Sequence, residues 1–248
     1  MLSDLSSLFK KYPTRPRQLR RLISAKISYG YWLLPRFYYI EPSLPINGFW
    51  LFLPYSVSRP EGQGEFKYDF STLPLSGTAH LEGSYEQPVA ERVVQMVETN
   101  DRVLEIGSQF GYFTMIFSQL SRSVTAIDAI KENINYVRKS AERNNFENIY
   151  TSHRSVGSPE QLLAVSDIRF FDILFFDIEG YEFEILNESV IKEIDPHTAI
   201  IEIHHQDQLS DASIPDDPLE KMTQLWERCG YNTELIDHRQ EHMIATMK

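Results

Sequence analysis

The sequence predicts an α/β fold whose sheet is mainly parallel and covered by helices on both faces. Three observations carry that prediction. From about residue 84, strand-type apolar runs alternate with segments of helical periodicity. Two of the runs, "RVLEI" and "FDILFFDIEG", are almost continuously apolar, as in strands buried on both sides. A chain of 248 residues with 42% hydrophobic and 12% aromatic residues also has enough apolar material for one large core with an appendage. Strands alternating with helices pair in parallel because each helix carries the chain back across the sheet.

The elements follow in order. "EQPVAERVVQMVE" has apolar residues at helical spacing, "RVLEI" is a buried-type strand, and "GYFTMIFSQLS" reads as helix. "SVTAID" is a strand, and "IKENINYVRKSAERNN" is an amphipathic helix ended by Asn-Asn. "NIYTSHRSV" is a further strand. "FDILFFDIEG" is a strand closed by acids and glycine, and "EFEILNESVIKEI" a single helix. "TAIIEIHH" is a strand, "DPLEKMTQLWERCG" a helix with Gly230 at its end, and "YNTELIDHRQEHMIATMK" alternates as a final antiparallel hairpin. Residues 1–80 read as an irregular appendage, with eight prolines and short aromatic clusters such as "YGYW" and "RFYYI"; the regular domain is expected over 81–248.

Charge and cysteine content remove several function classes. Residues 1–40 hold eight Lys and Arg against Asp4, a net +7. Of the 24 basic and 35 acidic residues in all, 16 and 34 remain for the rest of the chain, a net −18. An acidic body disfavours nucleic acid, which is held mainly by neutralising phosphates. The single Cys229 excludes an internal disulfide framework and a cysteine zinc site, reads as packing near a helix end, and suggests a reducing compartment. No secretory signal is evident, and "PSLPINGFWLFLPYSVS" is too short and proline-broken to span a membrane. The expected location is cytoplasmic. The basic arm, with Arg15, Arg17, Arg20, Arg21 and Lys26 ahead of Tyr29, Tyr31, Trp32 and Phe37, is suited either to an anionic inner-membrane surface or to packing over the body as a lid or homodimer contact.

The chemistry is concentrated in "RVLEIGSQFGYFT". In an open α/β sheet ligands sit beyond the carboxyl ends of the strands. Gly107 and Gly111 let the backbone pass close to a ligand, and Glu105 at the strand end can face a cation. The Gly-x-x-x-Gly spacing is not the pyrophosphate fingerprint, and an acid before the turn would repel phosphate. About twenty residues on, Asp128 ends "VTAID", placed to accept hydrogen bonds from both hydroxyls of a ribose. A nucleoside bearing an amino acid and a positive charge describes S-adenosylmethionine. The plainer reading makes the two glycines a tight turn and Asp128 an N-cap for the helix near Lys131.

Three motifs in order resemble the FkbM-type methyltransferases of the Rossmann-like class I group, over roughly residues 84–205. "LEIGSQFGYFT" is similar to that family's Asp-x-Gly-Ala-Asn-x-Gly-Tyr-Tyr-Ser loop. "VTAIDAIKENINYVRKSAERNN" resembles its Glu-Pro-x-Pro-x-Asn segment, and "FDILFFDIEGYEFEIL" its Asp-x-x-Lys-x-Asp-x-Glu-Gly-x-Glu signature. Glu105, Gln109, Asp128 and Ala129 replace the usual Asp, Asn, Glu and Pro, and Phe175 stands where Lys is frequent. The resemblance implies a three-layer sandwich around a seven-stranded sheet of order 3-2-1-4-5-7-6, with an antiparallel C-terminal hairpin. It implies that Glu105, Gly107, Ser108, Gln109, Gly111, Tyr112 and Phe113 line the methionine and ribose region, with Asp128 on the ribose and Ser155 near adenine.

The expected activity is methyl transfer from S-adenosylmethionine to an oxygen, hydroxyl or carboxyl, of a sugar, glycan or other small polyhydroxylated metabolite. The competing reading is a non-catalytic nucleoside-binding or scaffold protein that kept the fold, for which Phe175 is the argument. Asp177 and Glu179 follow the fourth strand and His204 the fifth, so all three are expected beside the reactive methyl, with Asp177 also next to the sulfonium. For an alcohol acceptor His204 is the favoured base, with His205 or Glu179 as alternatives, because strand register decides which side chain faces the pocket. Glu182 and Glu184 read as solvated first-turn acids. These oxygen and nitrogen donors are of the kind that bind a divalent metal, but no resident metal is expected.

Overall fold

The computed structural model describes residues 36–53, 56–58, 65–67, 83–165, 170–178, 180–205, 214–236 and 241–248. The basic arm, apart from Arg36 and the residues just after it, and Glu179 lie outside the described residues. The regular elements are the strands β1 (Arg36–Ile40), β2 (Phe49–Leu53), β3 (Ser56–Ser58) and β4 (Glu65–Lys67), then α1 (Gln87–Met96), β5 (Arg102–Ile106), α2 (Tyr112–Leu120), β6 (Ser123–Asp128), α3 (Lys131–Asn144) and β7 (Ile149–His153). There follow α4 (Pro159–Leu163), β8 (Ile173–Phe176), α5 (Glu182–Ile185), α6 (Glu188–Ile194), β9 (Thr198–Ile203), α7 (Pro218–Arg228), β10 (Tyr231–Ile236) and β11 (Glu241–Met247).

Seven strands form one sheet in the order β7-β6-β5-β8-β9-β11-β10. Numbered from β5, this is the order 3-2-1-4-5-7-6 that the resemblance implies. The five strands from β5 to β9 pair in parallel, and β11 enters antiparallel between β9 and β10. Alternate residues of the central strands face opposite layers, as the pleat requires. Val103, Phe175, Ile200 and Ile244 belong to the layer with α1, α2 and α3. Leu104, Ile106, Leu174, Phe176 and Ile201 belong to the layer that contains Trp226 of α7. Glu105, Asp177, Glu202, His204 and His242 lie at even spacing from the first set, so the site is built on the face of α1 and α2.

Two elements differ from the sequence reading. The segment 182–194 is two short helices, because Leu186 is extended and the Asn187 side chain accepts the Val190 N–H at 3.1 Å, starting a new helix inside a continuous apolar pattern. Within the stretch expected to be irregular, β1 and β2 form an antiparallel hairpin. It is fastened to α3: Trp50 N–H donates to Asn144 Oδ1 at 2.7 Å, Asn144 Nδ2 donates to the Trp50 carbonyl at 2.7 Å, and Phe52 N–H donates to Ser140 Oγ at 2.9 Å. Cys229 packs at the end of α7, as expected. Among the described residues no helix is long and apolar enough to cross a membrane.

Candidate functional site

The loop after β5 is fixed by contacts that explain its glycines. Gly107 has φ +89°, and a Cβ there would stand 1.5 Å from the Asp177 carbonyl oxygen, so two neighbouring strand ends touch through their backbones. Gly107 N–H and Ser108 N–H both donate to the Ile127 carbonyl, at 2.9 and 3.2 Å. Gly111, at φ +92°, starts α2 in a left-handed conformation against Val137. Packing against protein therefore accounts for both glycines, and it brings the ends of β5, β6 and β8 together.

Asp128 ties this loop to the next. Its Oδ2 accepts the Gln109 N–H at 2.8 Å, its Oδ1 accepts the Ile130 N–H at 2.7 Å, and Asn133 Nδ2 donates to both oxygens at 3.1 Å. The carboxylate thus supports the start of α3, as the plainer reading held, and also orients the loop that would meet a ribose. Burial pushes it up to about 6, against those hydrogen bonds. Glu105 lies 2% exposed, and Thr114 Oγ1 donates to its Oε2 at 2.5 Å. Burial, then repulsion from Asp128 and Asp177, lifts it to about 8.

These groups border an open cleft lined by Glu105, Gly107, Ser108, Gln109, Tyr112, Phe113 and Asp177 of the expected set, together with Tyr85, Phe110 and Phe175. Ser108 Oγ is buried there and has no hydrogen-bond partner among the described residues. Phe175, where a Lys is frequent in the resembling family, packs on Phe113 and Phe117 at ring separations of 4.7 and 5.4 Å and forms the floor. Tyr85 meets Tyr112 edge-on at 5.3 Å and forms a wall. A cleft with buried acids, aromatic walls and an unsatisfied hydroxyl fits the adenosyl and cationic parts of S-adenosylmethionine. Gly111, Asp128 and Ser155 are not among the lining residues, and Ser155 is exposed on the loop after β7.

Beside Asp177 a second cluster is buried. His204, 2% exposed, has its Nδ1 2.6 Å from Glu182 Oε1, and the same oxygen accepts the Gly180 N–H at 3.1 Å. Glu182 is fully buried, which corrects its reading as a solvated helix acid; Glu184 is exposed, as expected. His204 Nε2 lies 3.6 Å from Glu202 Oε1. His242, opposite Glu202 in the β9–β11 register, has its Nε2 3.5 Å from Glu86 Oε2 and 3.8 Å from Glu202 Oε2. Burial raises Glu86 to about 7, against a hydrogen bond from Tyr85 and the nearby His204. His205 is half-buried, one residue on from His204. Sequence reasoning missed Tyr85, Glu86, Glu202 and His242. For Glu202 a signal existed, since it is the one charge in the apolar run "TAIIEI".

A family model described as the methyltransferase FkbM domain matches residues 40–233. No curated protein matches the sequence. Solved structures with a similar fold include ribosomal protein L11 methylase from Lactobacillus delbrueckii subsp. bulgaricus, 16% identical, with a TM-score of 0.49 over 67% of this chain and 80% of that one. Precorrin-6y C5,15-methyltransferase from Geobacter metallireducens GS-15 is 15% identical, with a TM-score of 0.48 over 66% of this chain and 88% of that one. A SAM dependent methyltransferase from Aquifex aeolicus is 14% identical, with a TM-score of 0.45 over 63% of this chain and 88% of that one.

Proposed function

We propose that this chain, which belongs to the FkbM methyltransferase family, transfers a methyl group from S-adenosylmethionine to an oxygen of a sugar, glycan or other small polyhydroxylated metabolite. The observation that carries the reading is the acid-lined cleft: Glu105, raised to about 8 by burial and by Asp128 and Asp177, stands where a cationic ligand would reverse the cost of its charge. Bound S-adenosylmethionine supplies a methyl group on a sulfonium centre and an ammonium group. Glu105 and Asp177 offer carboxylates to those cations. Asp128 holds the Gln109 loop in place against the ribose, and Ser108 Oγ supplies a further hydrogen-bonding group.

The protein's main contribution is placement. Holding an acceptor oxygen in line with a methyl group can lower the barrier by about 7 to 11 kcal/mol. An alcohol must also shed a proton, which adds about 10²- to 10⁴-fold when a group is positioned to take it. Asp177, Glu202 and His204 offer the acceptor side its basic groups, and Glu182 fixes the His204 ring through Nδ1. A carboxyl acceptor, already ionised, would use the same cleft without that help.

The test is transfer of labelled methyl from S-adenosylmethionine to a panel of hydroxylated sugars, uronic acids and amines. Label retained after alkaline treatment in a sugar product supports an ether and hence hydroxyl methylation, whereas alkali-labile label indicates an ester. Binding of the cofactor with no transfer to any acceptor would favour the non-catalytic nucleoside-binding reading.

A further inference from the structure

Two sets of donor atoms share Glu202 on the face of the sheet that carries the cleft. Asp177, Glu202 and His204 each offer one ligand atom, and Glu86, Glu202 and His242 do likewise; within each set the atoms lie within 4.8 Å of one another. The imidazole-to-carboxylate separations in the sets are 3.6 Å for His204, and 3.5 and 3.8 Å for His242. These are longer than the about 2.7–3.2 Å of a hydrogen bond. They lie at or just beyond the upper end of what two ligands of one ion adopt, since donors at about 2.0–2.2 Å stand roughly 2.8–3.6 Å apart between right-angled and tetrahedral geometry.

A second observation separates the two sets. The other ring nitrogen of His204 is held by Glu182, whose carboxylate is fully buried and anchored in turn by the Gly180 N–H. With the Nδ1 proton shared with the buried Glu182 carboxylate, Nε2 is the nitrogen that meets Glu202, 3.6 Å away. Metal-binding histidines are held in this way, with an outer carboxylate that fixes the tautomer and raises the basicity of the ligating nitrogen. Of the two sets, only this one includes a residue of the cofactor cleft, Asp177.

We propose that Asp177, Glu202 and His204 form a binding site for one divalent first-row cation, with Glu182 as its outer-shell carboxylate. One imidazole and two carboxylates suit Mn²⁺, Co²⁺ or Zn²⁺ better than Mg²⁺ or Ca²⁺, which favour all-oxygen sets. Asp177 also lines the cleft, so an ion held by this set would lie at the edge of the cleft. The role of the site, though not its existence, rests on the methyl-transfer reading: an acceptor hydroxyl bound there is oriented toward the methyl group and made more acidic.

The experiment titrates Mn²⁺ into chelator-treated full-length protein, followed by calorimetry and by loss of the free-ion electron paramagnetic resonance signal, with S-adenosylmethionine titrated in parallel. One Mn²⁺ per chain is expected. His204→Ala and Glu202→Gln are expected to abolish binding, and Glu182→Gln, which touches no ion, to weaken it about 10- to 100-fold. His242→Ala is expected to weaken Mn²⁺ binding far less than His204→Ala does. Cofactor binding by each variant shows that it is folded. Undiminished Mn²⁺ affinity in His204→Ala overturns the proposal, as does loss in His242→Ala alone, which places the ion in the other set. A wild-type protein that binds S-adenosylmethionine but none of Mn²⁺, Co²⁺ or Zn²⁺ overturns it while the functional reading stands. A protein that binds the ion but not S-adenosylmethionine removes that reading and leaves the metal site.

Discussion

On one side of the cleft Asp128 is held by two backbone amides and the Asn133 side-chain amide, and on the other Glu182 is held by an imidazole and a glycine amide. The contrast has consequences. Amides neither titrate nor exchange ligands, so the loops after β5 and β6 form a fixed template whose only variable is the charge on its buried acids. The ends of β8 and β9 with the start of β11 pair carboxylates with two imidazoles, which can gain and lose protons or take an ion. A fixed side suits a cofactor that is the same in every turnover, and a side that can alter its charge suits an acceptor that must release a proton.

The largest expected effect comes where the two sides touch. Gly107→Ala would drive a methyl group into the Asp177 carbonyl, at 1.5 Å and with φ +89°. Neither strand end can retreat without breaking the sheet register. We expect a loss of stability on the order of 3 kcal/mol or more, read as a fall in thermal midpoint, with both ligand affinities impaired. A variant of normal stability would show that the strand ends are not locked together.

Next, a variant of the titratable side should spare the fixed side. His204→Ala is expected to lower turnover by about 10²-fold or more while cofactor affinity is unchanged, measured as kcat beside a calorimetric Kd. Equal losses in both would mean that the sides are one unit.

A smaller effect concerns pH. Burial and acidic neighbours hold Glu105 protonated up to about 8 in the free protein, whereas the unfolded chain gives up that proton near 4.5. Stability from this group is therefore fully present below about 4.5, declines as pH rises from there, and is gone once pH passes about 8. A cationic ligand prefers the carboxylate, so cofactor affinity should increase over the same interval, with proton release seen as a dependence of binding enthalpy on buffer. Glu105→Gln should flatten both trends. A wild-type profile without slope would contradict the assignment of Glu105 to the cation.

The same contrast explains what the sequence disclosed. The fixed side is almost contiguous, with Glu105 to Phe113 in one loop and Asp128 at the next strand end, so its residues stand close together in the sequence. The titratable side is assembled from Glu86, Asp177, Glu182, Glu202, His204 and His242, brought together by sheet register and by an antiparallel strand arriving last. His242 had no local signal, because an alternating tail hairpin does not reveal which strand it will face. Glu182 was misjudged because an acid at the start of a helix normally faces water, whereas the break at Asn187 leaves a helix of four residues turned inward. The hairpin β1–β2 was hidden by flanking prolines that occupy its turn rather than its strands.

The central claim is that the loops after β5 and β6 bind S-adenosylmethionine independently of the histidine cluster. Calorimetric titration of the cofactor into wild type, Asp128→Ala and His204→Ala tests it most directly. Removing the carboxylate that holds the Gln109 loop should cost roughly 1.5 to 3 kcal/mol, about a 10- to 100-fold weaker Kd, while His204→Ala binds as wild type does. Equal affinity in wild type and Asp128→Ala, or no binding to the wild-type protein, would contradict it.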